Sequence, residues 1–280
     1  MILSFHPVYV GDVNRLCAGR PPDGEDEAAI RNADAVILPQ GCSGLLCRMA
    51  QKYCGRVFPD YGARLRYPDK IGQIRAFMAT GAPHPFTEYY FDTDRHYKKH
   101  GRHITPPDCG FPLMFKYNWG GEGRTVFPIR DMTDYRRRLR EAGEFERAGQ
   151  KGFMVQEFVP AGNRSLRVVV IGRQRIAYWR IEGKQGGTGV ANLSRGGEID
   201  YHSEPDRMAA AIDSLEPFLA ETGINLAGFD FIFDTTEGYK GPLFLEYNYY
   251  FGRRGLGGSE RYYDLLIAEI DRWLKDQGLR

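Results

Sequence analysis

Apolar residues recur along the chain with two periods, and the switches between them mark the elements. Ala35-Val36-Ile37-Leu38-Pro39 is a short continuous apolar run that reads as a buried strand. Gly41 to Tyr53 has helical spacing, with Leu45, Leu46, Met49 and Tyr53 on one side, and Val57-Phe58 is extended again. That β-α-β outline makes residues 1–66 a short α/β unit, too short for a dinucleotide-binding domain and without G-x-G-x-x-G after its strands. Asp69 to Thr80 is a helix N-capped by Asp69, ended by Gly81 and striped by Ile71, Ile74, Phe77 and Met78. Residues 82–110 read as strand pieces plus loop, with His96, His100 and His103 at the surface. Strands over Phe111–Lys116 and Thr125–Ile129 flank a glycine-rich turn, and a charged helix follows over Asp131–Ala148. Phe153–Val159 is a strand ending in a Pro160-Ala161-Gly162 hinge. Leu166–Ile171 and Arg175–Trp179 then form a hairpin around Gly172.

The segment from Ile181 to Gly197 has few side chains to pack, which suits a mobile or binding element. A capping box at Ser203-Glu204-Pro205-Asp206 opens a helix that runs to Gly223, and a last helix starts at Ser259 with Tyr263, Leu266, Ile267, Ile270 and Leu274 inward. Between these helices lies a hairpin of Phe229–Asp234 and Leu243–Asn248. Period two puts Asp230, Ile232 and Asp234 on one face and Phe244, Glu246 and Asn248 on one face of the partner. Pairing Ile232 with Phe244 sets Asp230 opposite Glu246. Two facing carboxylates repel unless a cation sits between them. Two carboxylates and an amide are oxygen donors suited to a hard cation such as Mg²⁺.

Composition narrows the setting. The chain has 280 residues, 42% hydrophobic and 26% charged, with a formal net charge of +2. These are ordinary globular values, and no global field for nucleic acid or an anionic membrane is implied. The opening MILSFHPVYVGD has no basic n-region or cleavage site and no run is long enough to span a bilayer, so a cytoplasmic protein is expected. The five cysteines, Cys17, Cys42, Cys47, Cys54 and Cys109, contain no C-x-x-C and match no zinc spacing. Idle thiols in a reducing compartment are expected.

Candidate chemistry comes from lysines and glycines as well as the hairpin. Lys70 stands in the first turn of a helix, beside the positive end of its dipole, an electrostatically poor place for a cation. Lys116 leads into Asn118-Trp119-Gly120-Gly121-Glu122-Gly123-Arg124, a loop whose backbone N–H groups suit an anion. It is not a Walker loop, since no G-K-[ST] opens a helix. In order along the chain these pieces resemble the ATP-grasp superfamily, and most of all its RimK-type amino-acid ligases, over roughly residues 57–257. Lys70 in PDKIGQIRAFMATGAPHP resembles the first nucleotide lysine of that family, and Lys116 with Gly120, Gly121 and Gly123 its phosphate strand and loop. Gln156-Glu157-Phe158-Val159 resembles the adenine-binding hinge. Arg167 resembles the arginine of a D-x-R strand, and Asn192 to Gly197, with Arg195, the N-x-x-R-G-G loop. Asp230, Glu246 and Asn248 resemble the magnesium triad. Two positions depart from the pattern: Ser165 stands in the acidic slot of D-x-R, and Asn248-Tyr249-Tyr250-Phe251-Gly252 lacks the usual proline.

The resemblance implies an α/β (α+β) ATP-grasp fold. A short α/β unit (1–66) precedes two antiparallel-sheet subdomains that clasp ATP: a lid (67–160) and a C-terminal subdomain with the metal site (161–280). It implies that Lys70, Lys116, Gly120, Gly121, Gly123, Gln156, Glu157 and Val159 bind ATP. Asp230, Glu246 and Asn248 hold Mg²⁺, with Mn²⁺ an alternative. Arg167, Asn192 and Arg195 serve the reaction. The implied activity joins a small-molecule or peptide carboxylate to an amine through an acyl phosphate. The same fold supports two other activities: phosphoryl transfer to a small-molecule hydroxyl, marked by a stable phosphorylated product, and nucleotide binding without chemistry, marked by a lost metal ligand. None of the three ligands is lost here.

Overall fold

The computed structural model describes residues 1–17, 19–101, 107–121, 123–181, 197–236 and 241–280. The first sheet is parallel, in the order β2-β1-β3-β4, from β1 (Ile2–Ser4), β2 (Val13–Asn14), β3 (Ala35–Ile37) and β4 (Val57–Phe58). Helices α1 (Gly24–Arg31) and α2 (Gly44–Tyr53) connect its later strands. On α2, Leu46, Cys47 and Ala50 face the core and Leu45 faces solvent, so the buried stripe is rotated from the expected one. A one-turn helix, α3 (Gly62–Arg66), leads to α4 (Asp69–Thr80). Gly81 closes α4 in the left-handed conformation as expected, but Pro68, not Asp69, occupies the N-cap and no side chain caps the helix. Asp69 itself has φ 61, so its carboxylate cannot reach back over the first turn.

The second sheet is antiparallel, in the order β5-β8-β6-β7, from β5 (Thr87–Tyr90), β6 (Leu113–Tyr117), β7 (Val126–Ile129) and β8 (Phe153–Glu157). One face packs on α6 (Met132–Arg147), where Tyr135, Leu139 and Ala142 meet Leu113, Phe115 and Phe153. A further helix, α5 (Thr93–His100), lies where strand pieces and loop are expected. Its buried positions are Thr93 and His96, and the His100 side chain is also covered. These two histidines are therefore not surface residues, while His103 lies outside the described residues. His96 packs between Tyr90 and His100, with its Nε2 2.8 Å from the Tyr135 hydroxyl. Burial pushes its pKa down to about 4, with the neighbouring His100 acting in the same direction.

The third sheet runs β11-β10-β9-β12-β13: β9 (Arg164–Ile171), β10 (Gln174–Ile181), β11 (Glu198–Asp200), β12 (Leu226–Ile232) and β13 (Leu243–Asn248), all antiparallel. Both faces are covered. Leu166, Val168 and Val170 join Phe229 and Phe231 beneath α4 and α7 (Pro205–Thr222). Val169, Ile171 and Leu226 on the other face lie under α8 (Ser259–Asp276). Arg167 and Asp230 belong to that second face and are buried there. The capping box expected at α7 does not form: Glu204 is the N-cap with φ 50, and no side chain accepts from the first turn. Gly223 ends α7 as expected.

The β12–β13 hairpin pairs Asp230 with Glu246, as expected. Ile232 pairs with Leu243 instead of Phe244, because a β-bulge follows the Asp230 pair and Phe231 takes Phe244. The extra residue, Leu245, reverses the faces. Phe244 therefore enters the core against Phe77, Phe218 and Phe231, while Glu246 points to the opposite side. Without the bulge, one of the two would be on the wrong face.

Candidate active site

Lys116 is the innermost cation. It sits on β6 with 8% exposure, and its Nζ donates to Gln156 Oε1 at 2.6 Å. The other end of the Gln156 amide donates to Thr87 Oγ1 at 2.9 Å. Gln156 is thus a support for Lys116 inside the sheet. Burial lowers the Lys116 pKa to about 8, against the pull of Glu246 and with the push of Lys70. Glu246 on β13 of the third sheet thus acts on the charge of both Lys116 on β6 and Lys70 on α4. Lys70 is likewise lowered by burial, and Glu246 opposes the shift.

Lys70 reaches from α4 to the glycine loop, donating to the carbonyls of Trp119 at 2.8 Å and Gly120 at 2.7 Å. Gly120 has φ +76, and a Cβ there would lie 2.6 Å from Thr125 Cγ2. No other residue closes this turn without moving Thr125. Gly121 and Gly123 belong to the same turn between β6 and β7. Glu157 is exposed at the end of β8 and its N–H is bonded to Phe86 O at 2.8 Å. Val159 is half-buried just beyond, where Pro160 O accepts from Thr235 N and Oγ1. The hinge is therefore stitched to the third sheet.

Asp230 is fully buried and held by two guanidiniums. Arg167 forms a bidentate pair, Nε to Oδ1 at 2.7 Å and Nη2 to Oδ2 at 2.6 Å. Arg180, at the end of β10, approaches Oδ2 at 2.9 Å. Burial acts to raise the Asp230 pKa, but Arg167 and Arg180 overcome it and hold the carboxyl below its usual range. Arg180 also donates to Ser165 Oγ at 2.9 Å, so the serine in the acidic slot has a definite partner. The Arg180 Nε–H is buried with no partner among the described residues. A guanidinium donor left without a partner suits an anionic acceptor.

Arg180 is the residue that sequence reasoning missed. Its signal was present: β9 and β10 pair Ser165 with Arg180 across the Gly172 turn, and alternation from Tyr178 puts Arg180 on the Arg167 face. Asn248 Nδ2 donates to Glu246 Oε1 at 3.1 Å, which leaves its amide oxygen as the acceptor available to a cation. Asp230 Oδ1 retains a lone pair beyond its single bond from Arg167. The donor set of Asp230, Glu246 and Asn248 thus fits a hard divalent cation. Asn192 and Arg195 lie outside the described residues.

A sequence profile of the RimK-like ATP-grasp domain matches residues 84–270. The chain belongs to the RimK-like ATP-grasp family. Solved structures agree on the fold. The chain is similar to a RimK domain ATP-grasp protein from Sphaerobacter thermophilus at 15% identity and TM-score 0.62, over 96% of this chain and 98% of that one. It is similar to the D-cycloserine synthetase DcsG at 14% identity and TM-score 0.61, over 97% and 99%. The VanG D-Ala:D-Ser ligase of Enterococcus faecalis aligns at 14% identity and TM-score 0.59, over 86% of this chain and 73% of that one. No curated protein matches the sequence. Among the described residues, no helix is long and apolar enough to cross a membrane.

Proposed function

We propose that this RimK-like ATP-grasp protein is an ATP- and Mg²⁺-dependent carboxylate–amine ligase that forms an amide through an acyl phosphate. The observation that supports the reading is that Glu246 acts on the charge of both Lys70 and Lys116 while its cross-strand partner Asp230 is held by two arginines. Lys116 comes from β6 of the second sheet and Lys70 from α4, where it bonds the β6–β7 turn; Asp230, Glu246 and Asn248 come from the third sheet, with Arg167 and Arg180 paired to Asp230. ATP placed between them meets lysine charge at its α and β phosphates, while Gln156 keeps Lys116 in place. Glu246, Asn248 and the free lone pair of Asp230 would hold Mg²⁺, which neutralises charge on the β and γ oxygens when bound.

Arg180, with its unpartnered Nε–H, and Arg167 stabilise charge as the γ-phosphoryl group passes to a substrate carboxylate. An amine then displaces phosphate. Closure of the glycine loop, gripped by Lys70, excludes water that would otherwise hydrolyse the acyl phosphate. Phosphoryl transfer to a hydroxyl stands as the second reading, because the same cations serve it equally.

The test is ADP release on a panel of acid and amine pairs, with mass spectrometry of the product. An ¹⁸O-labelled acid should pass one label to the released phosphate and yield an amide. A phosphorylated product with unlabelled phosphate would replace the ligase by a kinase.

A further inference from the structure

In the first sheet the chain changes direction between β1 and β3, its two central strands. Ligands of open parallel sheets bind in the crevice outside the carboxyl ends of the strands at such a switch point. The turn leaving β3 there is Leu38-Pro39-Gln40-Gly41-Cys42. Both amide atoms of Gln40, Oε1 and Nε2, are buried and have no partner among the described residues. A buried amide with neither end bonded is costly and calls for a ligand.

Arg64, on α3, lies against the same turn, donating from Nη1 to Cys42 O at 2.6 Å. Its guanidinium sits 5.4 Å from the Tyr61 ring centroid and 6.0 Å from that of Tyr249, and no ion pair joins it to a carboxylate among the described residues. Tyr249 is the residue after the candidate metal ligand Asn248, and its ring meets Tyr61 edge-on at 5.6 Å. Gly41 has φ +67, and a Cβ there would stand 3.1 Å from the Tyr250 ring. Arg64 and the Gln40 turn therefore abut the chain one and two residues beyond β13, the strand that carries the candidate metal ligands Glu246 and Asn248.

Resting on the ligase reading, we propose that Gln40 and Arg64 form a subsite for a second carboxylate, one that is not phosphorylated, flanked by an N–H group. The guanidinium and the Gln40 Nε2 donate to the carboxylate, and Gln40 Oε1 accepts from the N–H. An α-amino acid, or the C-terminal residue of a peptide, carries that pairing. It is supplied by the amine acceptor or by an acid substrate with a second carboxylate.

The test uses the full chain with Gln40→Met and Arg64→Met at saturating ATP. Each amino acid is compared with its decarboxylated amine, and each amino diacid with the acid lacking the second carboxylate. KM for the substrate bearing the free carboxylate should rise about tenfold or more in both variants. The decarboxylated counterpart should be a poor substrate whose KM does not move, and KM for ATP should be unchanged. The arm that responds identifies the source. Gln40→Met should not lower Tm, because it removes two unbonded polar atoms. Unchanged KM in both arms, equal use of decarboxylated substrates by the wild type, or a lower Tm for Gln40→Met would each overturn the subsite. Should Arg64→Met fail to fold, Gln40→Met and Arg64→Lys decide. If the wild type joins no pair, the ligase reading falls. The subsite is then decided by thermal-shift titration with the same amino acids and amines, and a shift that ignores the carboxylate overturns it.

Discussion

Replacing Lys116 by methionine should make the protein more stable and a worse nucleotide binder at once. The ammonium is buried with one neutral hydrogen-bond partner, and its pKa falls from 10.5 to about 8. The folded state therefore binds the proton more weakly than the unfolded chain. At neutral pH that difference of about 2.5 units opposes folding by roughly 3 kcal/mol. The penalty is full below the folded pKa and is relieved as pH rises from about 8 to 10.5. Methionine removes the charge but leaves Gln156 Oε1 without its donor, which costs about 1–2 kcal/mol. A net gain of about 1–2 kcal/mol at pH 7 remains, or a Tm rise of roughly 2–4 °C for a chain of this size. ATP affinity should fall at least about tenfold, since a charged phosphate contact is lost. The wild type should itself lose affinity above pH 8 in a way the methionine variant does not, and the Tm gap should close by about pH 10. Differential scanning calorimetry and isothermal titration across pH 7–10 measure both. A variant that melts lower and binds ATP as the wild type does would refute the assignment of Lys116 as a strained, functional cation.

The two carboxylates of the third sheet should separate in behaviour. Glu246→Gln touches a half-buried group bonded to Asn248 and should leave Tm near the wild type while abolishing Mg²⁺-dependent turnover; normal turnover would remove Glu246 from the metal site. Asp230→Asn takes the counter-charge from Arg167 and Arg180 in a fully buried setting and should cost about 3–5 kcal/mol, read as a lowered denaturation midpoint. His96 has a folded pKa of about 4 against 6.5 unfolded, so its contribution is complete above pH 6.5 and is lost as pH falls toward 4. His96→Phe should flatten the acid limb of the Tm profile, and an unchanged limb would show that other groups set it.

Several residues of the candidate site were legible because their signals are local. Pairing two neighbouring strands as a hairpin sets Asp230 against Glu246, although the bulge shifts the register beyond that pair, and Lys116 leads directly into a glycine turn between two strands. The order of these pieces then pointed to the family. Helix ends marked by Gly81 and Gly223 followed for the same reason, since positive φ at a helix terminus is a property of one residue.

What tertiary structure alone decided lies between elements distant in sequence. Helix α5 escaped because its inward positions are Thr93 and His96, polar residues whose partners lie on other elements: Glu146 for Thr93, and Tyr135 and Phe153 for His96. The bulge at Leu245 escaped because its cause is the core: Phe244 fits among Phe77, Phe218 and Phe231, and Glu246 does not. Arg180 entered the site through Asp230, fifty residues away in the chain, and Gln156 became a lysine's support because β6 and β8 are neighbours. Periodicity records which way a side chain points relative to its own strand. Which charge it meets there is settled by sheet order and packing, where desolvation sets the strength of each pair.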